Sequence, residues 1–378
     1  MKTVDILKQL IAIPSYVDGD QNEQQLADFI VQFLQQNAPR YTILKQVVEG
    51  VRYNIIASIT NNPTYALVNH MDTVLPKQQT IQPYVPIEEN GIIKGLGSVD
   101  TKSGVATMLN IAATSARDDL LFIFTVDEEY EFKGMNTLCA SKILEQFGKP
   151  KLILNLEPTD LKILNGCRGI TEFSFVVRGK TAHSGRKNLG VNAIERAVEL
   201  TKKLELVVQA FDTKDGGKST LNLAYLRGGM LKSRDENAIV LSDLGLVVPD
   251  YAEVNCEIRF ANIKTTREKV QSLIEQFAKE ADVQIENLKF KFLLNSFVTD
   301  KRELKKLERA MQSCGVPVEY QDISRSGFYE VQMLQQAWNV PAVAFGVGPS
   351  DTSHSADENV SIESLIKAEE VIRKLLKK

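Results

Sequence analysis

The chain has 378 residues, of which 43% are hydrophobic and 25% charged, so its length and composition predict a soluble globular protein of two domains. Its 45 basic and 48 acidic side chains give a net charge of −3, which offers no hint of a nucleic-acid surface, and no apolar run approaches the roughly 18 residues of a membrane span. The four cysteines lack CxxC spacing, which argues against a disulfide framework and a thiolate metal site and favours a cytoplasmic location.

The first 165 residues alternate helix-like and strand-like segments. Residues 1–15 and 21–36 have the spacing of apolar side chains that is typical of amphipathic helices, and the first of these is not patterned as a signal peptide. Short apolar runs predict strands that are buried on both faces, over 54–59, 65–68, 120–126 and 151–155, with a helix predicted over 104–116. This alternation predicts an α/β domain with a mixed, mostly parallel central sheet that is flanked by helices.

The pattern changes near residue 170, because residues 171–178 alternate as in a half-exposed strand. Two helices and two further strands are predicted after it, over 192–206, 219–226, 251–260 and 265–280. The buried pattern then returns with a helix over 302–313 and a strand over 342–345. We therefore expect a discontinuous first domain, residues 1–169 and 290–378, that is interrupted by an α+β, ferredoxin-like domain at 170–289.

The three histidines each lie in a short polar cluster, and two of them follow predicted buried strands. His70 follows the second such strand, and His354 follows the last one through a glycine loop. Two more of the predicted buried strands lead into the acidic run 127–129 and into Glu157. Because ligands in open α/β sheets bind outside the carboxyl ends of the strands, we expect these four segments to form one site.

Two histidines and three carboxylates are the ligands that a dinuclear zinc site with one bridging carboxylate needs. The candidate ligands are His70, Asp100, Glu129, Glu157 and His354. Metal ions in such a site lie about 3.5–4 Å apart and activate a shared water molecule as the nucleophile. Five protein ligands leave positions open for that water and for a substrate carbonyl, as a catalytic zinc site requires.

Two acidic residues beside these ligands have candidate roles of their own. Successive side chains of an extended chain point in opposite directions, so Glu128 is expected to face the water as general base while Glu129 binds metal. Asp72 lies two residues after His70 and is expected to reach the second ring nitrogen and fix its tautomer.

Other kinds of site have less support in the sequence. The glycine-rich segment at 95–104 lacks the third glycine of a dinucleotide fingerprint, and the chain has no GxxxxGK[ST] phosphate loop. A Ser-His-Asp hydrolase would need a GxSxG segment, which the sequence lacks. A protein that binds a small molecule without catalysis stays an alternative. Such non-catalytic relatives of metal hydrolases usually lack some of the metal-ligating residues or the general base.

Together, these motifs resemble those of the zinc-dependent exopeptidase and deacylase family that includes acetylornithine deacetylase, succinyl-diaminopimelate desuccinylase, aminoacylase and carboxypeptidase G. The resemblance covers nearly the whole chain, including the order of the interrupted domains. It rests on HxD at 70–72, GxGxxDxKxG at 95–104, DEE at 127–129, EPT at 157–159, AHSG at 182–185, GVNAI at 190–194 and HxxDE at 354–358.

The resemblance implies two zinc ions per subunit, with cobalt or manganese as substitutes. It implies that one ion is bound by His70, Asp100 and Glu157, and the other by Asp100, Glu129 and His354. It also implies a cis peptide bond directly after the bridging carboxylate Asp100.

Four further residues receive roles from the same resemblance. Glu128 is implied to be the base and proton shuttle, and Asp72 the residue that orients a metal ligand. His183 is implied to stabilise the oxyanion in the active site of a partner subunit, within a homodimer formed through the inserted domain. Arg259 resembles the arginine that binds the substrate carboxylate through its bidentate fork.

The predicted function is a dinuclear zinc-dependent amide hydrolase that removes the acyl group from a small N-acyl amino acid. Glutamate at position 157 resembles the deacylase and carboxypeptidase members, whereas the aminopeptidase-like members tend to have aspartate there. A di- or tripeptidase, or a carboxypeptidase that cleaves a short peptide, is the alternative within the family. Neither nucleic acid nor a membrane is expected as a partner.

Overall fold

The computed structural model describes residues 2–79, 82–234, 238–262, 267–325, 327 and 329–377. The chain forms two compact units. The first consists of Met1–Gly166, Thr299–Asp322 and Tyr329–Lys378, and the second of Cys167–Val298 and Ile323–Phe328. In the described ranges, the helices lack the combined length and apolar character that crossing a membrane would take.

The helices of the described residues are, in chain order, α1 (Thr3–Ile11), α2 (Gln24–Asn37), α3 (Lys102–Thr114), α4 (Lys133–Ala140), α5 (Ala193–Val208), α6 (Arg267–Glu280), α7 (Lys305–Ser313), α8 (Val331–Trp338) and α9 (Ile362–Leu375). The strands are β1 (Thr42–Glu49), β2 (Arg52–Ser58), β3 (Tyr65–His70), β4 (Ile87–Glu89), β5 (Ile92–Lys94), β6 (Leu120–Thr125), β7 (Leu152–Asn155), β8 (Gly166–Cys167), β9 (Gly169–Arg178), β10 (Thr220–Arg234), β11 (Ile239–Ser242), β12 (Tyr251–Phe260), β13 (Gln284–Leu294), β14 (Phe297–Val298), β15 (Ala342–Ala344) and β16 (Asn359–Ser361).

The first unit is built on a sheet with the strand order β1-β2-β6-β3-β7-β15. The pairs β1–β2 and β2–β6 are antiparallel, whereas β6, β3, β7 and β15 run parallel to one another. His70 is in register with Thr125, and Val68 with Asn155, so the carboxyl ends of these strands meet at one edge. The predicted mixed α/β sheet is confirmed, and its parallel strands are the four from which candidate ligands follow.

Helices cover this sheet, which explains why its strands are apolar along their length. The strands β2, β3, β6 and β7 are buried throughout, as their continuous apolar runs predict. Helices α1, α2, α3 and α9 form one packed group, and α4 and α8 form another that contacts β1, β2, β7 and β15. The core includes the fully buried side chains of Ile55, Leu67, Phe122, Phe124 and Leu154.

The second unit has its own antiparallel sheet with the order β11-β10-β12-β9-β13. The succession β9, α5, β10, β12, α6, β13 and this strand order are those of a ferredoxin-like βαββαβ unit, as predicted. Both helices pack on the sheet and against each other. Their shared core includes Phe173, Phe175, Leu200, Val254 and Ile274.

Some elements differ from the prediction for local reasons. Strand β1 was not predicted, because its side chains are mostly exposed and show no apolar run. Strand β10 continues to Arg234 although Gly228 and Gly229 suggest an earlier end, because β12 pairs with it as far as Gly229 and β11 pairs with it from Met230 onward. The predicted start of α6 at Thr265 lies outside the described residues, and the helix is described from Arg267.

Candidate active site

The structure brings all five predicted metal ligands together at one edge of the first unit's sheet. His70 ends β3, and Glu157 follows the adjacent parallel strand β7. Glu129 lies just beyond β6 on the other side of β3, and Asp100 immediately precedes the α3 segment. His354 is in the loop between β15 and β16. The fold therefore places ligands from five separate segments at the predicted position.

The ligand atoms fall into two groups that share one carboxylate. In the first group, His70 Nε2 is 3.3 Å from Asp100 Oδ1 and 3.6 Å from Glu157 Oε1. In the second group, His354 Nε2 is 3.3 Å from Asp100 Oδ2 and 2.9 Å from Glu129 Oε1. Two ligand atoms that each lie about 2.1 Å from a tetrahedral ion are about 3.4 Å apart. The separations therefore match those between ligands of two ions, with one Asp100 oxygen turned toward each group.

The backbone around Asp100 is fixed by neighbouring side chains. Glu358 accepts hydrogen bonds from the N–H groups of Asp100, Val99 and Gly97, at 3.0, 3.1 and 2.9 Å. Asn69 donates to the carbonyl oxygen of Thr101 at 3.0 Å. The peptide bond between Asp100 and Thr101 is cis, which confirms the prediction for this bond.

The segment that carries Glu128 and Glu129 is a turn, so the extended conformation assumed from the sequence is wrong. The carboxylates of both residues lie within 4.8 Å of a His70 ring nitrogen and of each other. The turn begins after Asp127, whose φ of 71° is in the left-handed region. Both glutamates therefore face the cluster, and Glu128 keeps a position from which it could act on a group bound there.

Asp72 holds this turn as well as contacting the histidine. Its carboxylate accepts the N–H of Glu128 at 3.0 Å and that of Glu129 at 2.8 Å. The nearer contact of His70 Nδ1 is the Asp72 carbonyl oxygen at 3.1 Å, while the carboxylate Oδ1 lies at 3.5 Å. With Nδ1 turned toward Asp72, the opposite nitrogen of His70 is free to face the ligand cluster.

Burial and crowding shift the proton affinities of these groups. Burial raises the pKa of Glu157 to about 8 and the pKa of Glu128 well above its usual value. Burial also opposes ionisation of Asp100, but hydrogen bonds from His354 and His70 outweigh it and hold the pKa of Asp100 below its usual range. Hydrogen bonds to Asp100 and Glu129 raise the pKa of His354 to about 10.

The donor set fits divalent metal ions. Glu157 Oε1 is buried, and no described residue donates a hydrogen bond to it, which is costly for a carboxylate unless a cation or proton is nearby. Several buried carboxylates in one cluster repel one another, and divalent cations offset that repulsion. Imidazole nitrogen and carboxylate oxygen are ligands that zinc and other first-row divalent ions accept.

His183 and Arg259 belong to the second unit. His183 is exposed, and its Nδ1 accepts the N–H of Gly185 at 3.1 Å. The proton of the neutral ring is then on Nε2, which leaves an exposed N–H donor. Arg259 donates from Nε and a terminal nitrogen to Glu257, at 2.8 and 3.3 Å, so its guanidinium is engaged with a carboxylate on its own strand.

Sequence reasoning gave no role to two buried acids near the cluster. Glu358, described above, was visible as the last residue of the HxxDE motif, although the motif does not reveal that it binds three backbone N–H groups. Glu330 lies just before α8 and accepts a hydrogen bond from Thr125 at the end of β6. Nothing in its sequence context distinguishes Glu330 from a surface residue.

The sequence was also compared with known protein families. The profile of peptidase family M20/M25/M40 matches residues 66–378. The chain belongs to this family. The matched span includes every candidate metal ligand, from His70 to His354, and M20 membership places the chain among hydrolases of peptide and amide bonds.

Individual relatives of this M20 chain carry different names. It is 30% identical to a protein named probable carboxypeptidase from Aspergillus clavatus, over 67% of this chain and 61% of that protein. It is 24% identical to an acetylornithine deacetylase from Buchnera aphidicola, over 99% of this chain and 97% of that protein. The chain spans 61–62% of the length of the first curated relatives that it matches.

A solved structure extends the likeness to the whole fold. A tripeptidase from Staphylococcus aureus superposes with a TM-score of 0.74 and 20% sequence identity, covering 99% of this chain and 97% of that one. At that identity, the likeness shows that the fold is shared.

Proposed function

We propose that this M20 chain is a dinuclear metal-dependent hydrolase that removes the acyl group from small N-acyl amino acids, with zinc as the metal. The observation that carries the proposal is the position of Asp100, whose two oxygens each face a different histidine at 3.3 Å. A carboxylate between two three-ligand groups is the arrangement of a bridged two-metal site. His70 and Glu157 would complete one group, and Glu129 and His354 the other.

The side chains around the proposed ions supply the proton transfers. Bound metal ions would lower the pKa of a water molecule and polarise the substrate carbonyl. Glu128 would take the proton of the attacking water and pass it to the leaving amine. Burial raises the pKa of Glu128, which favours its acceptance of a proton. Asp72 would hold Glu128 in place through its backbone N–H.

The second unit would contribute to substrate binding. The exposed Nε2–H of His183 is a suitable donor for the oxyanion of the tetrahedral intermediate, in the active site of a partner subunit. Arg259 would bind the carboxylate of the substrate, for which it must exchange its contact with Glu257. The role of His183 rests on the resemblance and on its exposed donor, and the role of Arg259 rests on the resemblance.

In the part of the chain that the structure describes, residues 220–227 of β10 have a strand partner on one side only, which supports a homodimer through the second unit. Residues 220–227 of β10 pair with β12 on one side, while β11 pairs with β10 only from Met230 onward. Leu223 and Tyr225 in this stretch are 38% and 47% exposed. Exposed strand edges with apolar side chains favour pairing with another chain. A second copy of this chain is the occupant that we propose.

A carboxypeptidase or tripeptidase acting on short peptides is the second candidate. It is favoured by the names of the Aspergillus clavatus protein and the Staphylococcus aureus structure, whereas the Buchnera aphidicola relative favours deacylation. We place deacylation first because position 157 is glutamate, as in the deacylase and carboxypeptidase members that the chain resembles.

A substrate panel tests the proposal and separates these candidates. The protein would be assayed with N-acetyl and N-succinyl amino acids, dipeptides and tripeptides, before and after chelation and zinc re-addition. We expect the highest kcat/KM with an N-acyl amino acid and complete dependence on the added metal. Exclusive cleavage of peptides would select the second candidate, and activity that survives chelation would refute the two-metal mechanism.

A further inference from the structure

Three buried charged side chains lie outside the ligand cluster and form one hydrogen-bonded group. Glu23, Arg52 and Asp127 are 0%, 6% and 2% exposed. Arg52 donates to both oxygens of Glu23 at 2.8 and 2.7 Å, and its terminal nitrogen also reaches Asp127 Oδ1 at 2.5 Å. We refer to these three residues as the Glu23–Arg52–Asp127 network.

The network is attached to the turn that carries the base and one metal ligand. Asp127 directly precedes Glu128, and its own N–H donates to Glu23 Oε1 at 3.0 Å. The second carboxylate oxygen of Asp127 accepts the N–H groups of Glu131 and Lys133, at 3.1 and 3.2 Å. The network therefore holds the chain on both sides of Glu128 and Glu129.

Together with Asp72, these contacts define the turn from two directions. Asp72 binds the N–H groups of Glu128 and Glu129 from the side of β3, and the network binds the flanking residues from the side of α2 and β2. The left-handed φ of Asp127 is a conformation that few non-glycine residues adopt. Such a conformation persists when the surrounding contacts determine it, which is what the network provides.

Stability alone is a poor explanation for this arrangement. Removing charged groups from water is expensive, and buried ion pairs can often be replaced by apolar side chains without loss of stability. The best supported use of a buried charged network is to specify one geometry. Here the fixed element is the turn of the proposed active site.

We propose that Glu23, Arg52 and Asp127 are positioning residues that set the place of Glu128 and Glu129 in the two-metal site. This inference rests on the proposed function. Among the described residues, the side chains of the network form no hydrogen bond or ion pair with the side chains of the predicted metal ligands, and the network acts through the backbone of the turn. Its loss displaces the base and the ligand Glu129, while the group formed by His70, Asp100 and Glu157 keeps its geometry.

The variant Arg52→Lys tests this inference. Lysine keeps the positive charge but lacks the planar guanidinium that donates to both Glu23 and Asp127. A displacement of about 1 Å in an active site costs about 10²-fold in rate. We expect kcat to fall about 10- to 100-fold while KM changes less than about twofold. In a Co²⁺ titration of the chelator-treated protein, followed by visible absorption, one ion should bind as in the unmodified protein and the other at least about tenfold more weakly.

A matched control separates positioning from general stability. The guanidinium of Arg117 also donates two hydrogen bonds to one carboxylate, that of Asp119, at 2.7 and 2.5 Å. It donates a third to the carbonyl oxygen of Leu376, away from the ligand cluster. Arg117→Lys should change neither kcat nor Co²⁺ binding by more than about twofold. Glu23→Gln, which removes the charge without changing the shape, should repeat the pattern of Arg52→Lys.

The outcomes are distinguishable. Variants that match the unmodified protein in kcat and in both ion-binding steps would overturn the positioning role. Equal weakening of both ions, or failure of both network variants to fold, would show that the network serves the fold as a whole and would also overturn it. An unmodified protein that binds no second ion or hydrolyses no amide would refute the proposed function, and this inference with it.

Discussion

At the scale of single residues, Glu128 is the group on which we propose that turnover depends most. It is half-buried and lies within 4.8 Å of a His70 nitrogen, a position from which it could exchange protons with a molecule bound between the ligand groups. We expect Glu128→Gln to lower kcat by about 10²- to 10⁴-fold, the usual contribution of general acid–base catalysis. Metal content should be unchanged, as measured by elemental analysis of the purified variant. Turnover within about twofold of the original would show that another group takes the proton.

Glu330 should make the stability of the protein depend on pH. Burial raises the pKa of Glu330 from 4.5 to about 7, so the folded protein binds a proton at this site between those values and the unfolded chain does not. The stabilisation is therefore present below pH 4.5 and is lost as the pH rises toward about 7. Glutamine is neutral at every pH, so Glu330→Gln should raise the Tm of the metal-free protein at pH 8 and much less at pH 5. The same Tm difference at both values would contradict the shift.

The sequence predicts the cluster of five candidate ligands because each follows a buried strand, directly or through a loop, or lies just before a helix. That these residues bind metal stays a prediction. The directions in which the Glu128 and Glu129 side chains point could not be predicted in the same way. An alternation rule applies to extended chain, but the left-handed φ of Asp127 turns the chain before Glu128. That turn depends on Glu23 and Arg52, which are distant in sequence and carry no motif. Their role becomes visible only once the fold brings them together.

At the scale of elements, the close packing of α3 on the sheet determines where Asp100 lies. A Cβ atom at Gly104 would lie 2.4 Å from the Asn69 side-chain nitrogen and 2.7 Å from the Leu156 carbonyl oxygen. Asn69 in turn binds Thr101 and the N–H of Leu156, so its displacement would disturb the two segments that carry the candidate ligands Asp100 and Glu157.

We therefore expect Gly104→Ala to lower the free energy of unfolding by about 1–3 kcal/mol, as is usual for an overpacked core. Urea denaturation measures the change. Gly245→Ala is the control, because a Cβ atom there meets no atom within 4 Å and the change should stay within about 0.5 kcal/mol. Equal stability of the two variants would mean that α3 can move away from the sheet without penalty.

The elements that the sequence predicts are those in which burial follows a regular pattern along the element. Strands β2, β3, β6 and β7 are buried on both faces and were identified as apolar runs. Strand β1 lies at the sheet edge, and many of its side chains face solvent. Its sequence therefore lacks the continuous apolar run from which the buried strands were predicted. The α+β character and ferredoxin-like fold of the second unit were predicted from its helices and from strands such as β9, whose alternate side chains face a core.

At the scale of the whole molecule, the edge of β10 that lacks a strand partner among the described residues predicts self-association. We expect light scattering after gel filtration to give about twice the chain mass of 42.2 kDa. The double variant Leu223→Lys/Tyr225→Lys should be monomeric, because lysine on an edge strand opposes pairing. Val47→Lys, at an exposed position of β1 in the other sheet, should leave the mass unchanged. A monomeric unmodified protein would refute the dimer and leave His183 without a partner active site.

The central claim is that Asp100 bridges two metal ions, and the number of ions needed for activity tests it most directly. The chelator-treated protein would be titrated with zinc while bound metal per chain and hydrolysis are measured on the same samples. We predict that hydrolysis reaches its maximum at two ions per chain and that Asp100→Asn abolishes it. Full activity at one ion per chain, or activity that does not depend on metal, would contradict the account.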